Sequence, residues 1–234
     1  MIEAHKLVKK YGRVEALRDV SFKTRRGTIT AMLGENGAGK TTTLKIVLGF
    51  LRADSGTVAV GPGRVGYVPD RPAFLAGLDG WALLGLSRER HDRGGGNGRD
   101  FGASVLAASR SLLFDPALLR RKPGSYSAGN AKKFAYLQSL VLGPDLLVAD
   151  EPYSALDPPS VKCVRDIFCG LRDAGKTILL SSHMLAEMER IADGFVVLRR
   201  GETIAHAGLR EWRLLRAARS GPDLESVFLR LAGP

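Results

Sequence analysis

Eight consecutive residues have the types and the spacing of a loop that binds phosphate. They are Gly34-Glu35-Asn36-Gly37-Ala38-Gly39-Lys40-Thr41, which match the pattern G-x-x-x-x-G-K-[ST]. The glycines let the backbone fold so that successive N–H groups point at phosphate oxygens. Lys40 adds a full positive charge for the outer phosphates, and the Thr41 hydroxyl is suited to bind Mg²⁺. We therefore predict that this segment binds ATP.

A second pair of reactive side chains follows the apolar run Leu146-Leu147-Val148-Ala149. Asp150 is suited to hold Mg²⁺ directly or through water. Glu151, one residue later, can take a proton from an attacking water molecule. Two acids at the end of a strand can also serve only to solvate that end. The phosphate-binding loop alone fits kinases, GTPases, helicases and transporters, and the acidic pair favours nucleotide hydrolysis.

The elements that must position these side chains alternate between strand and helix, which favours a parallel sheet covered on both faces. The predicted strands are 2–9, 20–23, 28–33, 57–60, 65–68, 146–150, 177–182, 195–198 and 202–205. The predicted helices are 42–50, 81–90, 104–114, 116–121, 128–142, 160–173, 184–192, 209–218 and 223–231. Glycines between 94 and 98 interrupt the helical segment after the fifth strand, and we interpret them as a linker.

Composition limits the possible classes of protein. The 234 residues are 44% hydrophobic and 25% charged, which is typical of a globular protein. We find neither an apolar stretch of about 18 residues nor a secretory signal, and the two cysteines fit a reducing compartment, so we predict a cytoplasmic protein. The net charge of +11 is compatible with nucleic acid or an anionic membrane surface. The basic residues are not interleaved with aromatic ones, so nucleic-acid binding is not expected.

Four further motifs complete a recognisable set. They are Lys10-Tyr11-Gly12, Tyr126-Ser127-Ala128-Gly129-Asn130, Ser154-Ala155-Leu156-Asp157 and Ser181-Ser182-His183. With the phosphate-binding loop and the acidic pair, they resemble the nucleotide-binding subunits of ABC transporters over almost the whole chain. The second motif resembles the ABC signature and the third the D-loop. Ser127 is also suited to cap the helix that follows it, which would make a second anion site.

The resemblance implies roles for individual residues. Tyr11 would stack on adenine, the loop residues and Thr42 would bind ATP, and Lys40, Glu151 and His183 would be catalytic. Ser127, Gly129 and Asn130 would bind the nucleotide of a second copy, because the family sandwiches two ATP molecules in a head-to-tail dimer. Thr41, Asp150 and Asp70 would hold Mg²⁺.

The resemblance also implies a fold: an α/β P-loop NTPase of ABC type, with a mainly parallel core sheet, an N-terminal antiparallel β subdomain and a helical insertion. We expect a single ATPase domain over 1–234. Residues 1–69 and 123–208 would form the core with the β subdomain, about 70–122 the helical subdomain, and 209–234 two C-terminal helices. The C-terminal segment resembles the drug and antibiotic ABC-2-type exporter branch.

We therefore expect a Mg²⁺-dependent ATPase that powers a separately encoded transmembrane permease of an exporter from the cytoplasmic face of the membrane. The rival interpretations are a soluble ABC ATPase acting on nucleic acid or ribosomes, and a regulatory subunit with little turnover. Steady-state hydrolysis would separate the second rival from the transporter subunit, and salt-sensitive RNA binding would identify the first.

Several positions depart from the family pattern. Asp70 stands where the family usually has Gln, or Glu in the exporter branch, and we predict that it still approaches the metal. Ala128 replaces the first signature glycine, and Asn130 replaces Gln or Met. Lys132-Lys133 stands where Gln-Arg is common. These departures are expected to affect the dimer and the coupling surfaces.

Overall fold

The computed structural model describes residues 2–93 and 101–208, which form two compact units. The first unit contains the described residues up to Pro62 and from Leu171 onward, and the second is Gly63–Gly170. The predicted glycine linker at 94–98 and the predicted helices at 209–218 and 223–231 lie outside the described residues.

Seven strands and two helices make up the described part of the first unit. The strands are β1 (Ile2–Tyr11), β2 (Val14–Lys23), β3 (Ile29–Leu33), β4 (Ser55–Val60), β7 (Thr177–Ser182), β8 (Gly194–Arg199) and β9 (Glu202–Gly208), and the helices are α1 (Lys40–Val47) and α6 (Leu185–Ile191). They are ordered β4-β1-β2-β9-β8-β3-β7 across the sheet. β1 pairs antiparallel with β2 and β4, whereas β3 pairs parallel with β7 and β8.

The burial pattern explains the contrast between these two regions. Every residue of β3 and β7 is buried, as expected for parallel strands covered on both faces. In β1 and β2 single buried residues are separated by exposed or half-buried ones, as expected for an antiparallel pair with one solvated face. β2 starts at Val14, six residues before the predicted start. Its first half is also a strand because it pairs with β1, where Val14 lies opposite Tyr11 and Glu15 opposite Lys10.

The second unit contains a parallel strand pair and four longer helices in its described part. The strands are β5 (Val65–Val68) and β6 (Leu146–Asp150), and the helices are α2 (Gly80–Arg93), α3 (Phe101–Ser111), α4 (Ala128–Leu140) and α5 (Pro158–Asp173), of which α5 ends in the first unit. The register of the pair runs from Val65↔Leu146 to Val68↔Ala149. α4 packs against β5 and also contacts α2 and α3.

The segment predicted as a helix over 116–121 is a 3-10 helix, Pro116–Arg120, followed by a second short one, Pro123–Ser125. Asp115 caps the first by accepting a hydrogen bond from the Ala117 N–H at 2.9 Å. Pro123 disfavours helical geometry at the residue before it, which limits this segment to single turns. The strands predicted at 65–68, 146–150 and 177–182 are confirmed with these bounds.

Candidate active site

The predicted phosphate-binding loop connects β3 to α1. Gly37 and Gly39 have φ values of 84° and 104°, which glycine adopts far more readily than other residues. A Cβ atom at Gly34 would lie 2.6 Å from the Leu198 carbonyl oxygen, and one at Gly39 would lie 2.6 Å from the Leu17 side chain. The glycines are therefore required both by backbone conformation and by close packing.

Lys40 is the first residue of α1, and its side chain folds back over the loop. Its Nζ donates to the carbonyl oxygens of Gly34 at 2.6 Å and Glu35 at 3.2 Å. The N-cap residue, Gly39, has no side chain that could cap the first N–H groups of α1. An ammonium next to an uncapped helix N-terminus fits the β- and γ-phosphates of a nucleotide.

The other predicted loop residues differ in exposure. Glu35, Asn36, Gly37 and Thr41 are exposed, Thr42 is half-buried and Ala38 is buried. The Ala38 carbonyl accepts a hydrogen bond from the Gly201 N–H at 3.1 Å, which ties the loop to the turn between β8 and β9. The exposed residues are accessible to a ligand, whereas Ala38 anchors the loop.

Tyr11 and His183 are also in the first unit. Tyr11 ends β1 with 49% of its surface exposed, and the Lys9 ammonium lies 6.0 Å from the centre of its ring. An exposed ring of this kind can stack on a base. His183 is exposed directly after β7, where the Met184 N–H donates to the Ser182 hydroxyl at 2.9 Å.

The acidic pair is in the second unit, at the carboxyl end of β6. Asp150 is 2% exposed, and Glu151 is half-buried. The backbone of Glu151 has a φ of 44°, in the left-handed region that non-glycine residues rarely adopt. The chain turns there, because the Ser154 N–H donates to the Glu151 carbonyl at 3.1 Å. Strained backbone of this kind is often found at functional sites.

Asp70 is brought close to the D-loop within the same unit. It lies two residues after the end of β5, and its Oδ1 accepts a hydrogen bond from the Ser154 hydroxyl at 2.8 Å. Its Oδ2 is 4.0 Å from Nε of Arg71, a side chain that is 96% exposed. The motif pattern did not reveal the bond to Ser154, which joins residues 84 positions apart.

The signature motif opens α4. Ser127 is the predicted N-cap of α4, and its hydroxyl accepts a hydrogen bond from the Asn130 N–H at 3.3 Å. A Cβ atom at Gly129 would lie 2.9 Å from the Ala155 carbonyl oxygen, so the signature and the D-loop approach closely at this glycine. Ser127 is exposed, and Gly129 and Asn130 are half-buried.

Burial and the nearby carboxylates of this unit shift the pKa values of Lys132 and Tyr67. Burial lowers the pKa of Lys132 to about 8, and the charges of Asp70, Asp150 and Glu151 act in the opposite direction. Burial raises the pKa of Tyr67 to about 12, with Asp150 and Asp70 adding to the effect. In the sequence, Lys132 stands out only as a departure from the family pattern. An unusual charge at that position was the one signal that could have identified it.

The residues present fit a magnesium ion that is bound together with a nucleotide. In residues 2–93 and 101–208, no three His, Cys, Asp or Glu side chains form a group that could hold a metal by themselves. Mg²⁺ commonly takes one or two carboxylates, with phosphate oxygens and water as its other ligands. Asp150 and Asp70 are hard oxygen ligands of the required type in the second unit, and the Thr41 hydroxyl is one in the first unit.

A family model described as ABC transporter matches residues 17–154. The chain belongs to the ABC transporter family. An uncharacterized ABC transporter ATP-binding protein of Methanocaldococcus jannaschii is 31% identical over 218 residues, covering 90% of this chain and 78% of the relative. The Nod factor export ATP-binding protein I of Burkholderia lata is 33% identical over 218 residues, covering 87% of this chain and 69% of the relative. The chain spans 78%, 58% and 62% of the lengths of the first three curated relatives.

Solved structures confirm the predicted fold class of this ABC ATP-binding domain. The ATP-binding subunit of an ABC transporter superposes with a TM-score of 0.87 at 26% identity, and the match covers 100% of both chains. A dimeric ATP-binding cassette in a post-hydrolysis state, bound to ADP and Pi, superposes with a TM-score of 0.81 at 21% identity. That match covers 90% of this chain and 99% of the cassette. The fold is therefore the α/β P-loop NTPase fold of ABC cassettes.

The described part of this ABC domain contains no helix with the length and apolar character needed to cross a bilayer.

Proposed function

We propose that this ABC ATP-binding domain binds ATP with Mg²⁺ and hydrolyses it to drive a separately encoded transmembrane subunit of an exporter. The observation that carries the proposal is the loop from Gly34 to Thr41. The Lys40 ammonium of this loop donates to the loop's own carbonyls, and the loop leads into a helix whose N-cap is a glycine. This geometry suits the outer phosphates of a nucleoside triphosphate.

In the proposed reaction, water attacks the γ-phosphorus in line with the leaving β-phosphate oxygen. Glu151 takes the proton of that water, and His183 holds the water in position. Lys40 stabilises the charge that develops on the phosphate oxygens. When bound, Mg²⁺ would neutralise charge on the β- and γ-phosphates, and Thr41, Asp150 and Asp70 are the residues proposed to hold it.

The proposed active form is a head-to-tail dimer with two ATP molecules. The loop residues Gly34 to Thr42 of one copy would bind the phosphates of each ATP, and its Tyr11 would stack on the adenine. Ser127, Gly129 and Asn130 of the other copy would complete the site. The dimeric cassette among the structural neighbours supports this arrangement. The N-cap geometry of Ser127 supports the second anion site.

The proposed partner is a transmembrane permease that holds the domain at the cytoplasmic face of the membrane. The Nod factor export ATP-binding protein among the relatives supports an export direction. The division into a core of 1–69 with 123–208, a helical subdomain of about 70–122 and C-terminal helices at 209–234 is part of the same proposal. In it, the helical subdomain forms the groove that receives the permease.

Steady-state ATPase assays with Mg²⁺ test the catalytic part of the proposal. The wild-type protein is expected to turn over, and Glu151→Gln is expected to lower kcat by about 10²–10⁴-fold, because the general base is lost. ATP binding should be retained. Glu3→Gln is the matched control, since Glu3 is an exposed acid that pairs only with the exposed Lys23 among its described contacts. If wild type and Glu151→Gln hydrolyse ATP equally slowly, the chain is a low-turnover regulatory subunit and the proposed catalysis is wrong.

Co-expression with the membrane protein encoded beside this chain tests the partner. The ATP-binding domain is expected in the membrane fraction with that protein and in the soluble fraction without it. Retention on RNA that is lost at high salt, with no association with the membrane protein, would instead support a soluble ABC ATPase that acts on nucleic acid.

A further inference from the structure

The carboxylate of Asp54 holds two successive residues of β1. Its Oδ1 accepts a hydrogen bond from the Lys9 ammonium at 2.7 Å, and its Oδ2 accepts one from the Lys10 N–H at 2.7 Å. The Lys9 side chain is only 15% exposed, although lysine is mostly found on the surface. Both oxygens of the carboxylate are therefore in use, and each makes a short charge-assisted bond to β1.

These bonds begin where the backbone pairing of β1 with β4 ends. The register of that pairing ends at Val8↔Ser55. Asp54 is the residue before β4, and its N–H donates to the Val8 carbonyl at 2.9 Å. The Asp54 side chain therefore extends the attachment of β1 by two residues, as far as the residue before Tyr11.

The same two residues of β1 lie at a β-bulge with β2. Lys9 is opposite Leu17 and Lys10 is opposite Glu15, so Ala16 is the extra residue on β2. A β-bulge bends its strand, increases the local twist and re-aims side chains. Asp54 therefore holds β1 at the point where the direction of the hairpin end is set.

The bulge lies against the phosphate-binding loop, in the same unit. A Cβ atom at Gly39 would lie 2.9 Å from the Ala16 carbonyl oxygen. Tyr11, whose ring is exposed, ends β1 beyond the bulge. The Lys9 ammonium that Asp54 holds is 6.0 Å from the centre of this ring. Because a cation at this distance attracts an aromatic ring, a fixed ammonium restricts where the ring lies.

We propose that Asp54 is a positioning residue for Tyr11, and this inference rests on the proposed stacking of Tyr11 on adenine. Asp54 acts through the Lys9 ammonium and through the backbone of Lys10, and it does not itself contact the nucleotide. The Asp54 side chain is 43% exposed, so its ion pair contributes little to stability. Its removal is therefore expected to change the binding of the base far more than the folding of the chain.

ADP and inorganic pyrophosphate separate the contribution of the base from that of the phosphates. Calorimetry on the whole chain measures both dissociation constants, and neither ligand has a γ-phosphate to be hydrolysed. The ratio of the two constants, the preference for ADP, cancels general changes in the attraction of anions. Asp54→Ala is expected to lower this preference by about three- to tenfold, a part of the roughly 5–150-fold that complete loss of base stacking costs. Asp54→Asn, which keeps an acceptor for one of the two donors, should cause a smaller decrease.

Glu15→Ala is the matched control. Glu15 is an acid of the same hairpin, and its Oε1 pairs with the Lys10 ammonium at 2.6 Å. The change removes one negative charge, as Asp54→Ala does, but leaves the bonds of Asp54 to Lys9 and to the Lys10 N–H in place. The preference for ADP should therefore stay at the wild-type value. An equal decrease in Glu15→Ala and Asp54→Ala would show an effect of charge alone, and the positioning role would be wrong.

A double variant shows whether Asp54 acts through Tyr11. In a Tyr11→Ala background, Asp54→Ala should not change the preference for ADP further, because the ring that it positions is absent. An undiminished effect in that background overturns the inference. If Tyr11→Ala lowers the preference and Asp54→Ala does not, the positioning role alone is wrong. If Tyr11→Ala has no effect, the proposed stacking is wrong, and the positioning role fails with it.

Amide hydrogen exchange without nucleotide tests the attachment independently of the proposed function. Asp54→Ala should speed the exchange of the Lys10 N–H by about tenfold or more, because this N–H loses a charged acceptor. Glu15→Ala should leave that exchange rate unchanged. Urea unfolding checks that each variant is folded. An unchanged exchange rate at Lys10 in folded Asp54→Ala would show that the carboxylate does not hold this backbone, and would overturn the inference whatever the binding data show.

Discussion

Glu151 combines a reactive side chain with an unfavourable backbone conformation. Its φ of 44° costs a non-glycine residue about 1–2 kcal/mol relative to ordinary conformations. Glycine would remove this cost but would also remove the carboxylate. If Glu151 is the general base we propose, the position gives up stability to keep that carboxylate at the end of β6, which is how strain and function are commonly combined.

We predict that Glu151→Gly is more stable than Glu151→Gln by about 1 kcal/mol, because both variants lose the carboxylate and only glycine relieves the left-handed backbone. Neither variant should hydrolyse ATP at a significant rate. Urea unfolding without nucleotide measures the difference. A glycine variant that is less stable than the glutamine variant would show that this conformation does not strain the chain.

At the scale of elements, α4 connects the signature to the strands that carry the acids. Its first turn begins at the Ser127 N-cap, and Lys132 follows in the next turn. Further along, the Tyr136 hydroxyl donates to the Pro152 carbonyl at 2.9 Å, and the Ser139 hydroxyl donates to the Tyr67 carbonyl at 2.7 Å. These bonds reach β5 at Tyr67 and the segment after β6 at Pro152. A displacement of α4 would therefore move the segments that carry Asp70 and Asp150.

Ser127 has two proposed roles that a substitution can separate: the N-cap of α4 and the phosphate contact of the dimer. Asp is as good an N-cap as Ser, so the free energy of unfolding of Ser127→Asp should be within about 0.5 kcal/mol of the wild-type value. That of Ser127→Ala should be lower by about 1 kcal/mol. The new carboxylate would repel phosphate. Ser127→Ala removes the hydroxyl that is proposed to contact phosphate. In a Glu151→Gln background, both variants should therefore fail to dimerise with ATP, as measured by sedimentation. ATP-dependent dimerisation of Ser127→Asp equal to its parent would contradict the phosphate contact.

At the scale of the whole molecule, net charge sets a condition on assembly. Each copy carries a net charge of +11, so two copies repel one another at low ionic strength. The phosphates of bound ATP offset part of this charge, and salt screens the remainder over a Debye length of about 10 Å at 0.1 M. The same charge would attract the domain to an anionic membrane surface.

We predict opposite salt dependences for these two associations. With saturating ATP and Mg²⁺, dimerisation of Glu151→Gln should strengthen between about 0.05 and 0.3 M NaCl, because repulsion between the copies is screened. Binding of the same protein to anionic vesicles should weaken over this range. Sedimentation measures the dimer, and vesicle flotation measures the membrane association. Neutral vesicles are the control and should show no salt dependence. Dimerisation that weakens with salt would mean that local attraction outweighs net charge.

Much of this protein could be predicted from local sequence signals. The phosphate-binding loop, the strand before Asp150 and the Ser127 N-cap each depend on residues within a few positions of one another, so their spacing alone predicts them. The structure confirms the N-cap and the strand bounds. The ABC fold follows from the order of these motifs and is confirmed by the family match and the structural neighbours.

Only the tertiary structure decided which residues that are far apart in the sequence form contacts. The bond from Ser154 to Asp70 joins positions 84 apart, and the bond from Lys132 to Pro69 joins positions 63 apart. No periodic pattern encodes such contacts. By its type alone, Lys132 would be expected on the surface, since an unpaired lysine is rarely buried. It is buried because its ammonium donates to the carbonyls of Pro69, Asp70 and Asp150, which lie at the ends of β5 and β6.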